Sequence, residues 1–310
     1  MRACIHHVIF EWLHHIGKIK SLVPVSKLHV HQTRVRMASS SGTGTGHLDR
    51  TANNERHQVI SPAQIKEVKN ISPTVKQLRV HVMDSCFFFK AGQWVDMFIP
   101  GVDVVGGYSM CSAPHTLVST GQLVLAVKSS PHPPAHWVHT KCKEGSEVKM
   151  RAGGDFFYDP PKHACTEDLL LLAGGVGVNP LFSILQHFIH LHPSQERDRN
   201  AGAKSQPKVS FLYSAQNMEE LIFKEELKEI AGKNPNVNLK MHCTRQAVES
   251  ADFISGGRIG QKDIELTSSQ LDKSKAQVYI CGPGSFIKSM ELYCQNSGFN
   301  KSSIFYETWW

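Results

Sequence analysis

An unbroken apolar run, Leu169 to Ala173, leads directly into Ala173-Gly174-Gly175-Val176-Gly177-Val178-Asn179-Pro180, and an apolar-periodic segment, Leu181 to His190, follows at once. A run without alternation suits a parallel strand buried on both faces, and the period of the next segment is helical. The octet is therefore a strand-to-helix turn. In a parallel sheet this is where ligands bind: small residues let the backbone approach a diphosphate, and the helix N-terminus supplies N–H groups and a positive dipole end. Pro180 suits a first helical turn, where its missing N–H leaves nothing unpaired. A tight turn with no ligand is the alternative that spacing alone leaves open.

The alternation continues along the chain. Strand Val209 to Tyr213, helix Met218 to Ala231, strands Val237 to His242 and Val278 to Cys281, helix Ser285 to Gln295 and strand Ile304 to Tyr306 predict βαβ units on a parallel sheet. The polar stretch His192 to Gln206 reads as a surface loop between elements. Upstream the pattern differs. Short β-type runs such as Val75 to Val82, Trp94 to Ile99 and Leu123 to Val127 alternate with turn residues at Gly92, Pro100, Gly106-Gly107, Pro114 and Gly121. That spacing predicts an antiparallel barrel or sandwich. With 310 residues, and roughly 100 to 200 residues per domain, two domains are expected. They are an antiparallel β-barrel over 48–162 and an α/β parallel-sheet nucleotide-binding domain over 163–310, preceded by a targeting or disordered segment over 1–47.

The net charge of +7 is concentrated in that first segment, where Arg2, Lys18, Lys20, Lys27, Arg34 and Arg36 face only Glu11. The remainder is nearly neutral, which disfavours nucleic-acid binding because neither domain offers a concentrated basic face. Ile5, Val8, Ile9, Trp12, Leu13, Ile16 and Ile19 recur at helical spacing, and a Ser/Gly/Thr stretch follows from Ala38 to Gly46. An Arg-rich, acid-poor amphipathic segment is the pattern of a mitochondrial transit peptide. A secretory signal, a basic tail and a retained membrane-surface helix are the rivals. His6, His7, Glu11, His14 and His15 interrupt the apolar run, so no transmembrane span is expected.

Eight cysteines, Cys4, Cys86, Cys111, Cys142, Cys165, Cys243, Cys281 and Cys294, lie far apart with no C-x-x-C pair, which excludes the usual zinc and iron–sulfur ligand spacings. His132, His136 and His139 fall in a Pro-rich stretch that reads as a loop, without a metal-ligand pattern.

The octet at 173–180 resembles the Ala-Gly-Gly-x-Gly-x-x-Pro motif that opens the nicotinamide domain of the ferredoxin-NADP reductase superfamily. Cys281-Gly282-Pro283 is similar to its second signature, Ala91-Gly92-Gln93 to the segment leading into a flavin-domain strand, and Gly153-Gly154-Asp155-Phe156-Phe157 to the turn closing that domain. The resemblance covers roughly residues 57–310. It implies a flavin-dependent oxidoreductase that passes a hydride from NAD(P)H to FAD and on to an unidentified acceptor, expected to be a separate redox protein since no ferredoxin-type cysteine cluster occurs in this sequence. It implies that Gly174, Gly175, Val176, Gly177, Val178, Asn179, Pro180, Gly282 and Pro283 bind the dinucleotide. Cys281 would lie beside the nicotinamide, Tyr108 would pack on the flavin, and the Ser109 hydroxyl would approach its reactive nitrogen.

Gly106-Gly107-Tyr108-Ser109 stands where that family has Arg-x-Tyr-Ser, so the arginine that neutralises flavin phosphate is replaced by Gly106. Lys128, Lys141 and Lys143 are the cations that sequence offers instead. Ala135 and His136 provide no hydroxyl at the helix start expected to face the diphosphate, which leaves backbone N–H groups for that task. Gln216, where many NADP-using relatives carry Arg, favours NAD(H), with Arg245 and Arg258 as the residues able to reverse this. The terminal Ile304-Phe305-Tyr306-Glu307-Thr308-Trp309-Trp310 reads either as a flavin neighbour or as packing. The rival function is a catalytically silent NAD-binding scaffold or sensor that has lost tight flavin binding.

Overall fold

The computed structural model describes residues 46–161, 166–193, 206–249 and 253–308. The amphipathic segment, Cys4, Cys165, Trp309 and Trp310, and most of the polar stretch after His192, lie outside the described residues. The barrel half contains α1 (His47–Arg50), β1 (Ser61–Asn70), β2 (Val75–Val82), β3 (Trp94–Phe98), β4 (Gly106–Ser109), α2 (Pro114–Thr120), β5 (Gln122–Lys128), α3 (Pro133–Thr140) and β6 (Glu147–Gly153). Its strands lie in the order β4-β3-β6-β1-β2-β5, all antiparallel. The two edges meet where Met110 pairs with Leu125 and the Cys111 N–H donates to the Val124 carbonyl at 2.8 Å, closing the sheet into a barrel. Period-two alternation points Ile65, Leu78, Val80, Val95, Met97, Leu123 and Met150 inward, all fully buried. Each such side chain contributes about 1.5–3 kcal/mol.

The second half contains β7 (Leu169–Gly174), α4 (Val178–Leu191), β8 (Val209–Ala215), α5 (Lys224–Lys233), β9 (Val237–Cys243), β10 (Ile254–Gly256), α6 (Gln261–Thr267), β11 (Gln277–Gly282), α7 (Gly284–Asn296) and β12 (Ile304–Thr308). The parallel order is β10-β9-β8-β7-β11-β12. From β7 the chain winds outward through β8, β9 and β10, then returns to β11 on the other side. The order thus reverses between β7 and β11, and a crevice opens at their carboxyl ends, where parallel sheets take ligands. Every residue of β7 and β8 is buried, which is why those runs carry no polar alternation.

Three local expectations change. The helix expected over Met218 to Ala231 starts at Lys224. Asn217 Oδ1 accepts the Glu220 N–H at 3.0 Å, turning the chain, and Phe223 sits at φ 59° with its ring stacked on Phe182 at 4.7 Å. The Pro-rich stretch read as a loop is helical: α3 starts at Pro133, whose fixed φ suits a first turn. His47, grouped by sequence with the leader over 1–47, is the first residue of α1 and is buried in the barrel half.

Candidate functional site

The glycine turn leaves β7 at Gly174, makes a 3-10 turn over Gly175–Gly177 and enters α4 at Val178. Gly175 adopts φ +57° with open space around it. Gly177 is required for a different reason: a Cβ there would overlap the Cys281 carbonyl and approach the Gly282 nitrogen to 2.8 Å. Added to Gly282, a Cβ would come within 3.1 Å of the Gly174 Cα. The two motifs, far apart in sequence, are therefore one packed unit at the ends of β7 and β11, where Ala173 pairs with Cys281. Pro283 is the residue preceding α7.

Helix α4 fixes that unit against the barrel. Asn179 Nδ2 donates to the Ala126 carbonyl, Ser183 Oγ to the Ser112 carbonyl and Gln186 Nε2 to the Cys111 carbonyl, each at 2.8 Å. Positions 179, 183 and 186 lie on one helix face, so a single row of polar side chains satisfies barrel backbone that would otherwise be buried unpaired.

Between the barrel and the glycine turn lies a cavity of about 330 Å³, lined by His47, Arg50, Gly107, Tyr108, Ser109, Ala126, Lys128, Ser129, Ser130, His132, Ala135, Val176 and Asn179. Tyr108 Oη, Ser109 Oγ, His132 Nε2 and Asn179 Oδ1 are buried there without hydrogen-bond partners among the described residues. A buried polar atom left unmade costs about 1–3 kcal/mol, and several converging on one space are the mark of a ligand that completes them. Burial pushes the Tyr108 phenol upward, so it stays protonated and able to donate. An aromatic ring, a hydroxyl and unmet donors and acceptors fit a flavin.

The cavity brings together Tyr108, Ser109, Val176 and Asn179, but not Cys281. Cys281 is fully buried, and its carbonyl seats Gly177. Among the lysines, Lys128 lines the cavity, whereas Lys141 lines a second one of about 320 Å³ with Asp103 and Trp137, and Lys143 lines neither. Gly106 is more than a missing arginine. A Cβ at that position would fall 2.6 Å from Tyr108 Cε2 and 2.9 Å from Pro134 Cβ, so the Tyr108 ring occupies the way out for any side chain there.

The expected grip by backbone amides at the start of α3 is also reduced. Pro133 and Pro134 have no N–H, and the His136 N–H is used by the His132 carbonyl at 2.9 Å, so Ala135 is the main-chain donor remaining in that first turn.

Sequence reasoning missed His47 and Arg50. The fully buried Asp96 on β3 holds α1 in place: His47 Nε2 lies 3.0 Å from Oδ1, while Arg56 Nε at 3.0 Å and Arg151 Nη2 at 2.6 Å reach Oδ2. Burial opposes ionisation of Asp96, but the hydrogen bonds from His47 and Arg151 and the charge of Arg56 outweigh it and hold the carboxyl below the usual range. The His47 ring occupies the space a Gly107 side chain would fill and meets Trp94 edge-on at 4.7 Å. Nothing in a four-residue helix announces this in the sequence. The only forward hint is the second glycine at 107, which makes room for the ring.

At the far end of the crevice, Gln216 follows β8 and is exposed, and the Arg245 N–H donates to its carbonyl at 2.8 Å. In β12, Phe305 packs on Tyr279 at 5.2 Å. No helix among the described residues is long and apolar enough to cross a membrane.

Residues 171–291 match the oxidoreductase NAD-binding domain family. A Xenopus laevis protein named oxidoreductase NAD-binding domain-containing protein 1 is 44% identical, the alignment covering 90% of this chain and 88% of that one. The glycine betaine monooxygenase reductase subunit of Chromohalobacter salexigens is 31% identical over 70% of this chain and 55% of its own. A ferredoxin NADP+ reductase from Neisseria gonorrhoeae, solved with bound FAD and NADP, superposes with a TM-score of 0.62 at 21% identity, covering 81% of this chain and 99% of that one. The packed pair of glycine motifs beside a closed barrel is the two-domain fold of the ferredoxin-NADP reductases, and the chain belongs to the oxidoreductase NAD-binding domain-containing protein 1 family.

Proposed function

We propose that this protein is an NADH-dependent flavoprotein reductase that uses FAD and delivers electrons to a separate redox partner. The observation carrying this reading is that Tyr108, Ser109 and Asn179, each with a buried side-chain polar atom that no described residue satisfies, line one cavity between the barrel and the glycine turn. A bound flavin would supply the redox chemistry, taking a hydride from the nicotinamide and releasing electrons onward. The chain's own residues position and enclose. Tyr108 offers its ring and a neutral hydroxyl, Ser109 a hydroxyl to the reactive edge, and Gly174 to Pro180 a main-chain cradle for the dinucleotide diphosphate. Gly282 and Pro283 would border the nicotinamide, while the buried Cys281 packs its carbonyl against Gly177, leaving no room for a side chain there. Gln216 supports NAD(H) over NADP(H), because a 2′-phosphate ordinarily needs a cation at that position. The reductase subunit among its relatives supports a separate electron acceptor. The basic amphipathic N-terminal segment supports delivery to mitochondria, with a secretory signal as the competing reading; mass spectrometry of the native N-terminus separates cleavage from retention.

A second reading, an NAD-binding scaffold or sensor without tightly held flavin, is favoured by Gly106 together with Pro133 and Pro134. Reconstitution discriminates. Protein incubated with FAD and desalted should remain yellow; colourless protein that still binds NADH supports the scaffold.

A further inference from the structure

The cavity lacks phosphate-binding groups twice over, through Gly106 and through the two prolines opening α3, and yet Arg50 lines it. We propose that Arg50 is the principal phosphate-binding cation of the flavin site, with Lys128 on the same cavity wall contributing less, and that it is delivered by α1, a helix outside the barrel strands that is pinned through His47 to Asp96. This rests on the flavin reading and extends it to the anionic arm of the ligand.

His47 and Arg50 are three residues apart on α1, so they share a face, and both line the cavity. His47 fixes the helix: its Nε2 is 3.0 Å from the fully buried Asp96, and its ring rests on Gly107, one residue from the lost arginine position. Arg50 is thereby directed at the same cavity as His132, the residue capping α3. Burial first, and then the charges of Arg50 and His47, hold His132 below the ordinary histidine range, which places Arg50 within electrostatic reach of the α3 start. The guanidinium and the Ala135 N–H together replace what the arginine and a normal helix N-terminus provide elsewhere, since a planar guanidinium can grip phosphate with two N–H groups. One consequence concerns processing: a mature chain must retain residues from His47 onward to keep its cofactor.

The test uses the full-length chain and three ligands sharing one ring system: FAD, FMN and riboflavin, which has no phosphate. Dissociation constants are read by flavin fluorescence for wild type, Arg50→Gln and Arg50→Lys, with thermal melts as the check on folding. Arg50→Gln is expected to weaken FAD and FMN about ten- to a hundredfold while riboflavin changes less than about twofold, and Arg50→Lys to recover part of the loss. Unchanged FAD and FMN binding overturns the proposal, as does an equal loss for riboflavin. If Arg50→Gln does not fold, Arg50→Lys alone decides, because losing the two-pronged contact must weaken FMN and spare riboflavin. Wild-type protein that binds none of the three overturns the flavin reading itself and this proposal with it.

Discussion

Asn179 of the glycine turn donates its Nδ2 hydrogen to the carbonyl of Ala126 on barrel strand β5 at 2.8 Å, so the nucleotide motif itself holds the two domains together. Its Oδ1 is buried with no hydrogen-bond partner among the described residues, and the residue lines the cavity. One side chain thus docks the domains and faces the ligand space.

Removing that link strands a buried carbonyl. Asn179→Ala should lose about 1–3 kcal/mol in urea denaturation, and Ser183→Ala, which frees the Ser112 carbonyl on the same face, a similar amount. If both variants melt like wild type, α4 is not the clamp.

The glycine turn makes a sharper contrast. Gly177→Ala forces a methyl into the Cys281 carbonyl, which is backbone and cannot rotate away, so it should cost about 2–3 kcal/mol and weaken NADH binding by more than about tenfold. Gly175→Ala meets nothing within 4 Å and costs only the left-handed conformation, about 1–2 kcal/mol. Equal NADH affinity in the two variants would contradict the close packing of the two motifs.

Much of this was legible beforehand. The strands Val75–Val82 and Val237–Cys243 and the turn at 174–180 follow from periodicity and glycine spacing, because local pattern and burial agree there. The start of α5 did not follow, since Phe223 takes a left-handed conformation, stacked on Phe182 across the domain. Nor did Arg50 or His47 as cavity residues, because their roles depend on Asp96 and Gly107 being brought beside α1 by the barrel, and such long-range placement leaves no periodic trace.

Among the lysines that sequence offered as substitutes for the missing arginine, only Lys128 reaches the cavity. Lys128→Ala should weaken FAD binding several-fold, whereas Lys141→Ala and Lys143→Ala should leave it unchanged. A loss confined to Lys141→Ala would move the phosphate arm to the far side of α3.

Acid should loosen the domain contact. His187 and His190 of α4 face His115 of α2, with the His115 and His190 rings stacked at 4.1 Å. Burial, only partly offset by Asp159, pushes His187 from 6.5 down to about 4, and burial together with His190 also lowers His115. A folded-state value below the unfolded one means the unfolded chain binds the extra proton. Stability is therefore full above about 6.5 and declines as pH falls toward 4, by roughly 1–2 kcal/mol for His187 after allowing for its partial solvent exposure. The urea midpoint should drop between pH 7.5 and 5, and His187→Gln should flatten the drop; an identical slope in the variant contradicts the assignment.

Cofactor choice can be shifted where Arg245 meets Gln216. Gln216→Arg adds a cation at the exposed position just after β8 and should improve NADPH binding by about tenfold relative to NADH. No change in that ratio would place the discriminating contact elsewhere.

If the glycine turn presents a nicotinamide to a flavin held on Tyr108 and Ser109, NADH reduces that flavin directly. Anaerobic stopped-flow mixing of FAD-loaded protein with NADH tests it directly. Rapid bleaching of the flavin band is expected in wild type, with marked slowing in Gly177→Ala at equal flavin content. A flavin band that persists at saturating NADH, in protein shown to bind both ligands, would contradict it.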